Sequence, residues 1–272
     1  MTDTSHTEQD DFILIDKRDG IAVLTLNRPR ARNAVSDPMR QRLLAALAEL
    51  AQDRSVKGVV LTGADPAFCA GGDIKGMQER LSAPAGQVAF NGWSRQQLTH
   101  QTVMALHKLP KPVIAAVNGP AAGLGADMAL ACDFIIASEQ AFLTMSFVQR
   151  GLVPDGGGMF FLPRRVGLST AKELYFSGRR VQAQEALTMG LVDRVAPHAE
   201  LLERAVEWAG TLSSGSAASL ALTKSALNQS FELSIEQMLS MTSQAQAICY
   251  TTDAHRASVE SFLAASKGRS AS

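Results

Sequence analysis

Three short apolar segments with helical segments between them constrain the fold of this chain most. They are "KGVVLTG", "KPVIAAVNG" and "DFIIAS", each long enough for one buried strand. Between them lie "FNGWSRQQLTHQTVMALHKL" and "GADMALAC", which we predict to be helical. Apolar strands that alternate with helices are typical of parallel sheets covered by helices. The sequence therefore predicts an α/β fold.

The segments on either side of this unit set the predicted domain organisation. "FILIDKRDGIAVLTLNRP" indicates a hairpin that turns at Asp19-Gly20. A helix follows, with Asp37 expected as its N-cap and Pro38 in its first turn. From about residue 167 the pattern is mostly helical. We predict a disordered polar tail over 1–11, an α/β core over 12–199 and a helical C-terminal region over 200–272.

Composition excludes several classes of function. The 272 residues carry 26 basic and 26 acidic side chains, so the basic surface typical of nucleic-acid binding is not expected. No apolar run is long enough for a membrane helix, and the polar start does not resemble a signal peptide. The three cysteines are widely spaced, which favours reduced thiols over disulfides or a zinc site. We expect a cytoplasmic protein whose partner is a small molecule, without nucleic acid or membrane.

Two glycine-rich turns are candidates for holding an oxygen atom. "AGGD" at 70–73 follows one predicted strand, and "GLGA" at 123–126 follows the next. Each turn leads into a predicted helix, whose first amides have no partner within the helix. If both turns lie at the same end of the sheet, one amide from each could converge as an oxyanion hole. Taken singly, each turn is equally well explained as an ordinary strand-to-helix connection.

Five segments, in order, resemble the enoyl-CoA hydratase/isomerase or crotonase superfamily over residues 12–265. They are "LNRPRARNAVS", "VVLTGADPAFCAGGDI", "KPVIAAVNGPAAGLGADMALACDFIIAS", "LVPDGGGMFFLPRRVG" and "FSGRRVQAQEALTMGLVDRV". The resemblance implies a spiral of ββα repeats with a helical C-terminal region that forms trimers or paired trimers. It also implies acyl-CoA thioester substrates, with coenzyme A as part of the substrate and no separate metal or redox cofactor.

The resemblance also assigns residues to the site. The oxyanion-hole amides would be those of Gly72 and Leu124, where relatives commonly have glycine at the second position. A leucine amide can still donate, but its side chain changes the shape of the pocket. The positions matching segments that contact CoA are Ala31, Arg32, Ala70, Gly72, Asp73, Ile74, Lys75 and Arg256. Arg256 could equally be a solvated surface residue.

The position of the working carboxylate distinguishes the reactions of the superfamily. In the superfamily that this chain resembles, hydratases use two glutamates. Asp127 stands at the position that matches the first glutamate, and Phe147 at the position that matches the second. A phenyl ring in an acyl pocket cannot hold a water by hydrogen bonds, so the pair is incomplete. Some isomerases of the superfamily instead carry one acid directly after a proline, and Asp155 in "GLVPDGGG" matches it.

The sequence is therefore compatible with three functions. The preferred interpretation is an isomerase that shifts a double bond of an enoyl-CoA, with Asp155 as the proton shuttle. One alternative is a hydratase that uses Asp127 and Asp155 together. A further alternative is a non-catalytic CoA-binding scaffold, in which Asp155 belongs only to a Pro-Asp-Gly turn.

Overall fold

A computed structural model describes the backbone of residues 12–269 and the side chains of residues 12–265. The polar tail predicted to be disordered, residues 1–11, lies outside the described residues. No helix among the described residues is long and apolar enough to span a membrane.

The strands form two sheets. The large sheet has the order β1-β2-β3-β4-β6-β9, in which β1 and β2 are antiparallel and the other neighbours are parallel. The small sheet has the order β5-β7-β8. The strands are β1 (Ile13–Arg18), β2 (Ile21–Leu26), β3 (Gly58–Gly63), β4 (Val113–Val117), β5 (Ala121–Ala122), β6 (Phe134–Ser138), β7 (Phe142–Thr144), β8 (Arg180–Gln182) and β9 (Arg194–Ala196).

Helices cover both faces of the large sheet and continue to Arg269. They are α1 (Asp37–Gln52), α2 (Ile74–Leu81), α3 (Ala85–His107), α4 (Leu124–Ala131), α5 (Gly158–Val166), α6 (Leu168–Ser177), α7 (Ala183–Thr188), α8 (Leu201–Leu212), α9 (Ala217–Leu227), α10 (Ile235–Tyr250) and α11 (Asp253–Arg269). The predicted α/β class and the mostly helical C-terminal third are confirmed.

The predicted hairpin is confirmed. β1 and β2 pair in register from Ile13 opposite Leu26 to Arg18 opposite Ile21. Asp19 and Gly20 both have positive φ, 48° and 83°. Two consecutive positive φ values characterise the turn that matches the twist of a hairpin.

The predicted start of α1 is wrong by one residue. Ser36, not Asp37, is the N-cap, and its side chain accepts a hydrogen bond from the Met39 amide at 3.4 Å. Asp37 and Pro38 occupy the first two helical positions. Serine and aspartate are about equally favourable N-cap residues, so the sequence before the helix fits Ser36 as well as Asp37.

The hydrophobic core has two parts, one on each face of the large sheet. The larger part contains Leu24, Leu61, Leu43 of α1 and Leu106 of α3. On the opposite face, α8 contributes Trp208 and Ala205 against β-strand residues such as Val60 and Ile114. Thus α8, which follows the predicted boundary at 199/200, packs on the sheet of the core. The boundary itself stays a prediction.

Candidate active site

The two glycine-rich turns lie side by side at the carboxyl ends of β3 and β4, which pair in parallel. The Cys69 amide donates to the Pro120 carbonyl at 3.1 Å, and the Ala122 amide donates to the Cys69 carbonyl at 2.9 Å. Gly71 has a φ of +100°, and a Cβ there would lie 2.8 Å from the Ala122 carbonyl oxygen. Only glycine allows this approach of the two backbones.

The amides of Gly72 and Leu124 are available to a ligand. The Val35 amide donates a hydrogen bond to the Gly71 carbonyl at 2.8 Å, and the Asp73 amide donates one to the Val35 carbonyl at 3.2 Å. In such parallel pairing the N–H of the residue between them, Gly72, points away from Val35. Leu124 is the first residue of α4, so its amide has no acceptor within the helix.

Both residues border a cavity of about 170 Å³ that also contains a carboxylate, that of Asp155. Phe147 lines the same cavity. Its ring would lie 3.7 Å from a Cβ added to Gly123. The cavity is therefore bounded by backbone donors, an aromatic ring, one acid and the side chains of Arg95 and Arg150. The sequence-predicted site residues that line it are Ala70, Gly72, Ile74, Leu124, Phe147 and Asp155.

Asp155 is half-buried in the loop before α5. The side-chain amide of Gln96, on α3, donates a hydrogen bond to its Oδ2. The hydrogen bond restrains the orientation of a carboxylate that lines the cavity. Gln96 thus orients the acid that the sequence analysis favoured.

Asp127 is completely buried and is not among the residues that line the cavity. Its Oδ2 accepts from the Gly156 amide at 3.0 Å, so it is bonded to the residue that follows Asp155. Burial, and then the nearby charge of Asp155, raise the pKa of Asp127 to about 8. Asp127 is therefore largely protonated at neutral pH.

This raised pKa predicts a pH-dependent stability. Native Asp127 keeps its proton at pH values where the unfolded chain has lost it, so its contribution to stability is complete below about pH 4 and is lost as the pH rises to about 8. We expect Asp127→Asn to remove this slope, because an asparagine side chain does not titrate. Its carbonyl oxygen can still accept the hydrogen bond from the Gly156 amide. Urea unfolding between pH 4 and pH 8 measures it. Equal slopes for the variant and the wild type would contradict the assignment.

The glycines that follow Asp155 leave room for Asp127. A Cβ on Gly156 would lie 2.7 Å from Asp127 Oδ2, and one on Gly158 would lie 2.0 Å from Asp127 Oδ1 and 2.3 Å from the Tyr175 hydroxyl oxygen. These distances are shorter than any tolerated contact. Gly156 and Gly158 therefore let the loop close over a buried carboxyl.

We expect Gly158→Ala to destabilise the protein by about 1–3 kcal/mol, because the new methyl group overpacks this site. Gly92→Ala is the matched control: Gly92 lies within α3, and a Cβ there meets nothing within 4 Å. The control should be neutral or slightly stabilising. The free energy of unfolding in urea measures both, and equal effects of the two substitutions would contradict the packing argument.

Residues predicted to contact CoA lie around the first turn. The Ala70 amide donates to the Arg32 carbonyl at 2.9 Å, which places the loop of Ala31 and Arg32 beside it. Asp73 caps α2 by accepting from the Lys75 amide at 3.0 Å. Asp73 and Lys75 line a neighbouring, larger cavity. Their roles toward CoA stay predictions.

Arg256 is not brought to either of these cavities. It is exposed on α11, a helix that packs against α10. Its contact with CoA phosphates stays a prediction.

Sequence reasoning did not find Gln96 or Arg95, both on α3. Gln96 bonds Asp155 across 59 positions of the chain, and Arg95 borders the cavity. Polar residues on a mostly exposed helix carry no motif, so only the packing of α3 beside the loop reveals them.

Comparison with known proteins shows the family to which this chain belongs. The family model described as enoyl-CoA hydratase/isomerase matches residues 16–269. The chain belongs to the enoyl-CoA hydratase/isomerase family. Its fold resembles the crystal structure of an enoyl-CoA hydratase from Bacillus anthracis, with a TM-score of 0.85 and 34% identity over 92% of this chain and 95% of the other. The predicted crotonase fold is confirmed.

Some relatives within the enoyl-CoA hydratase/isomerase family are named isomerases and others are named hydratases. The 1,2-epoxyphenylacetyl-CoA isomerase of Escherichia coli K12 is 35% identical over 93% of this chain and 96% of its own length. The short-chain-enoyl-CoA hydratase of Clostridium acetobutylicum is 34% identical over 92% of this chain and 94% of its own length. The chain is thus an acyl-CoA enzyme of this family, and overall similarity does not choose between the two reactions.

Proposed function

We propose that this enzyme shifts a double bond of an enoyl-CoA thioester from the β,γ to the α,β position. The observation that carries the proposal is that Asp155 lines the same cavity as Gly72 and Leu124, whereas Asp127 is completely buried. One acid beside two backbone donors is sufficient for an isomerisation through a dienolate.

The reaction moves one proton and changes no other atom. The thioester oxygen accepts hydrogen bonds from the Gly72 and Leu124 amides. The carboxylate of Asp155 takes a proton from C2, and the electron pair spreads over the thioester and the former double bond as a dienolate. Asp155 then returns the proton to C4. The amides stabilise the charge that forms on the oxygen between the two steps.

The arrangement supports hydration less well. Activating a water requires a second polar group that faces it, and Phe147 offers an apolar ring at the position where a hydratase would have its second acid. Asp127 is buried, largely protonated and bonded to the Gly156 amide. We assign Asp127 the role of positioning the loop that carries Asp155.

Assaying the purified protein with two substrates tests the proposal. We expect 3-hexenoyl-CoA to be converted to 2-hexenoyl-CoA faster than crotonyl-CoA is hydrated. Faster hydration would establish the hydratase alternative. Binding of CoA thioesters without turnover of either substrate would establish the scaffold.

A homotrimer, or a pair of trimers, is part of the proposal. The C-terminal helices and the loop before α10 expose large apolar side chains, including Leu227, Phe231, Leu239 and Phe262. Apolar surface of this kind marks contact with another molecule. The mass in solution, measured by light scattering, tests the assembly; a monomer at micromolar concentration would contradict it.

A further inference from the structure

Three arginines from three helices form a cluster beside the candidate site. Arg40 belongs to α1, Arg80 to α2 and Arg95 to α3. Arg80 and Arg95 line a cavity of about 830 Å³, and Arg95 also lines the smaller cavity with Asp155. Arg95 therefore stands where the two cavities adjoin. The larger one has the size of a small-molecule pocket.

Two of the three guanidinium groups, those of Arg40 and Arg95, carry buried N–H groups without a hydrogen-bond acceptor. The Arg40 side chain is 1% exposed, yet its Nε and Nη2 are buried without a partner, as is Nε of Arg95. Burial, and then repulsion from Arg95, lower the pKa values of both Arg40 and Arg80. Buried donors on charged groups are destabilising unless they are paired.

The acids nearby do not supply acceptors for the buried N–H groups of Arg40 and Arg95. Arg40 and Arg80 share one carboxylate, that of Asp37, whose side chain is 55% exposed; Arg80 lies 3.9 Å from it. Asp73 is paired with Arg28 at 3.0 Å. The remaining acids are Glu79, which is exposed and attracts Arg80, and Asp155, which attracts Arg40 and belongs to the candidate site.

We propose that Arg80 and Arg95 of the arginine cluster bind a carboxylate at the far end of the acyl group, so that the substrate is the CoA thioester of an unsaturated dicarboxylic acid. The inference rests on the proposed function in one respect: the thioester oxygen accepts hydrogen bonds from the Gly72 and Leu124 amides. Asp155 and Arg95 line the same cavity as these two amides, so an acyl chain anchored on the amides has both side chains within that cavity. Guanidinium groups bind carboxylates through paired, charge-assisted hydrogen bonds.

A CoA phosphate offers the same anionic chemistry and has to be distinguished. The distal carboxylate is favoured because Arg95, whose Nε is buried without a partner, lines the cavity that holds Asp155, where the acyl group reacts. A phosphate contact would affect every CoA thioester equally, whereas a carboxylate contact affects only thioesters that carry the second acid.

The test compares the binding of two saturated thioesters, adipoyl-CoA and hexanoyl-CoA, together with free CoA. They have the same chain length and undergo neither isomerisation nor hydration, so binding is measured whether or not the proposed reaction is correct. By titration calorimetry we expect the wild type to bind adipoyl-CoA about 10- to 100-fold more tightly than hexanoyl-CoA.

Arg95→Gln should abolish most of this preference while leaving hexanoyl-CoA affinity nearly unchanged. Arg80→Gln provides a second variant, and thermal unfolding checks that both are folded. Arg54→Gln, at an exposed position, removes the same charge and should keep the wild-type preference.

Equal wild-type affinities for the two thioesters would overturn the inference. So would a preference that survives both substitutions in the cluster. Equal weakening of adipoyl-CoA, hexanoyl-CoA and free CoA in Arg95→Gln would assign the cluster to CoA phosphates instead. A retained binding preference in a protein that fails to isomerise 3-enoyl-CoA would refute the proposed reaction and leave this inference standing.

Discussion

Asp155→Asn should lower kcat for the isomerisation of a 3-enoyl-CoA by about 10²- to 10⁴-fold, the usual contribution of a positioned acid-base group. Asparagine keeps the size of the side chain but cannot take a proton at C2 and return it at C4. The Gly72 and Leu124 amides do not change, so substrate affinity should change little. Steady-state kinetics with 3-hexenoyl-CoA measures the effect.

Two comparisons make the result specific. Asp16→Asn, at an exposed position on β1, should keep the wild-type rate. The hydration of crotonyl-CoA is followed in the same preparations. Robust hydration that persists in Asp155→Asn would contradict the assignment of Asp155 as the reacting acid.

Leu124→Pro should lower kcat by about 10²- to 10³-fold, as expected for removal of one donor from an oxyanion hole. Proline has no amide hydrogen, so the substitution deletes the donor itself. The helix should persist, because Leu124 is the first residue of α4, where proline is well tolerated. Gly123 has a ψ of −120°, outside the α region that a following proline disfavours.

Leu124→Ala is the matched control for this substitution. It shortens the same side chain but keeps the amide, so kcat should fall much less than in Leu124→Pro. Circular dichroism and thermal unfolding establish that both variants are folded. Equal losses in the two variants would show that the side chain, and not the amide, is what the reaction needs.

Local sequence predicted those parts of the protein that depend on short stretches of chain. The alternation of apolar strands with helices predicted the sheet, and Asp19-Gly20 predicted the hairpin. Glycines at 71 and 72 predicted a turn that another backbone could approach, and the structure places the Ala122 carbonyl there. These features follow from backbone preferences and hydrophobic periodicity, which a short segment contains in full.

The candidate acids show where sequence stopped being sufficient. Asp127 and Asp155 both stand in motifs that resemble those of the family, and the sequence by itself could not say which one faces the substrate. The fold buries Asp127 beneath Gly156 and Gly158, and leaves Asp155 at the cavity wall with Gln96 as its partner.

The sequence by itself determined the α/β class, the family motifs and the identity of the carboxylates. Tertiary structure alone decided which carboxylate is solvated, which amides are unpaired and which arginines come together from α1, α2 and α3. The physical reason is that burial and electrostatic coupling depend on the distance between groups that are remote along the chain. Such distances are properties of the packed fold and not of any one segment.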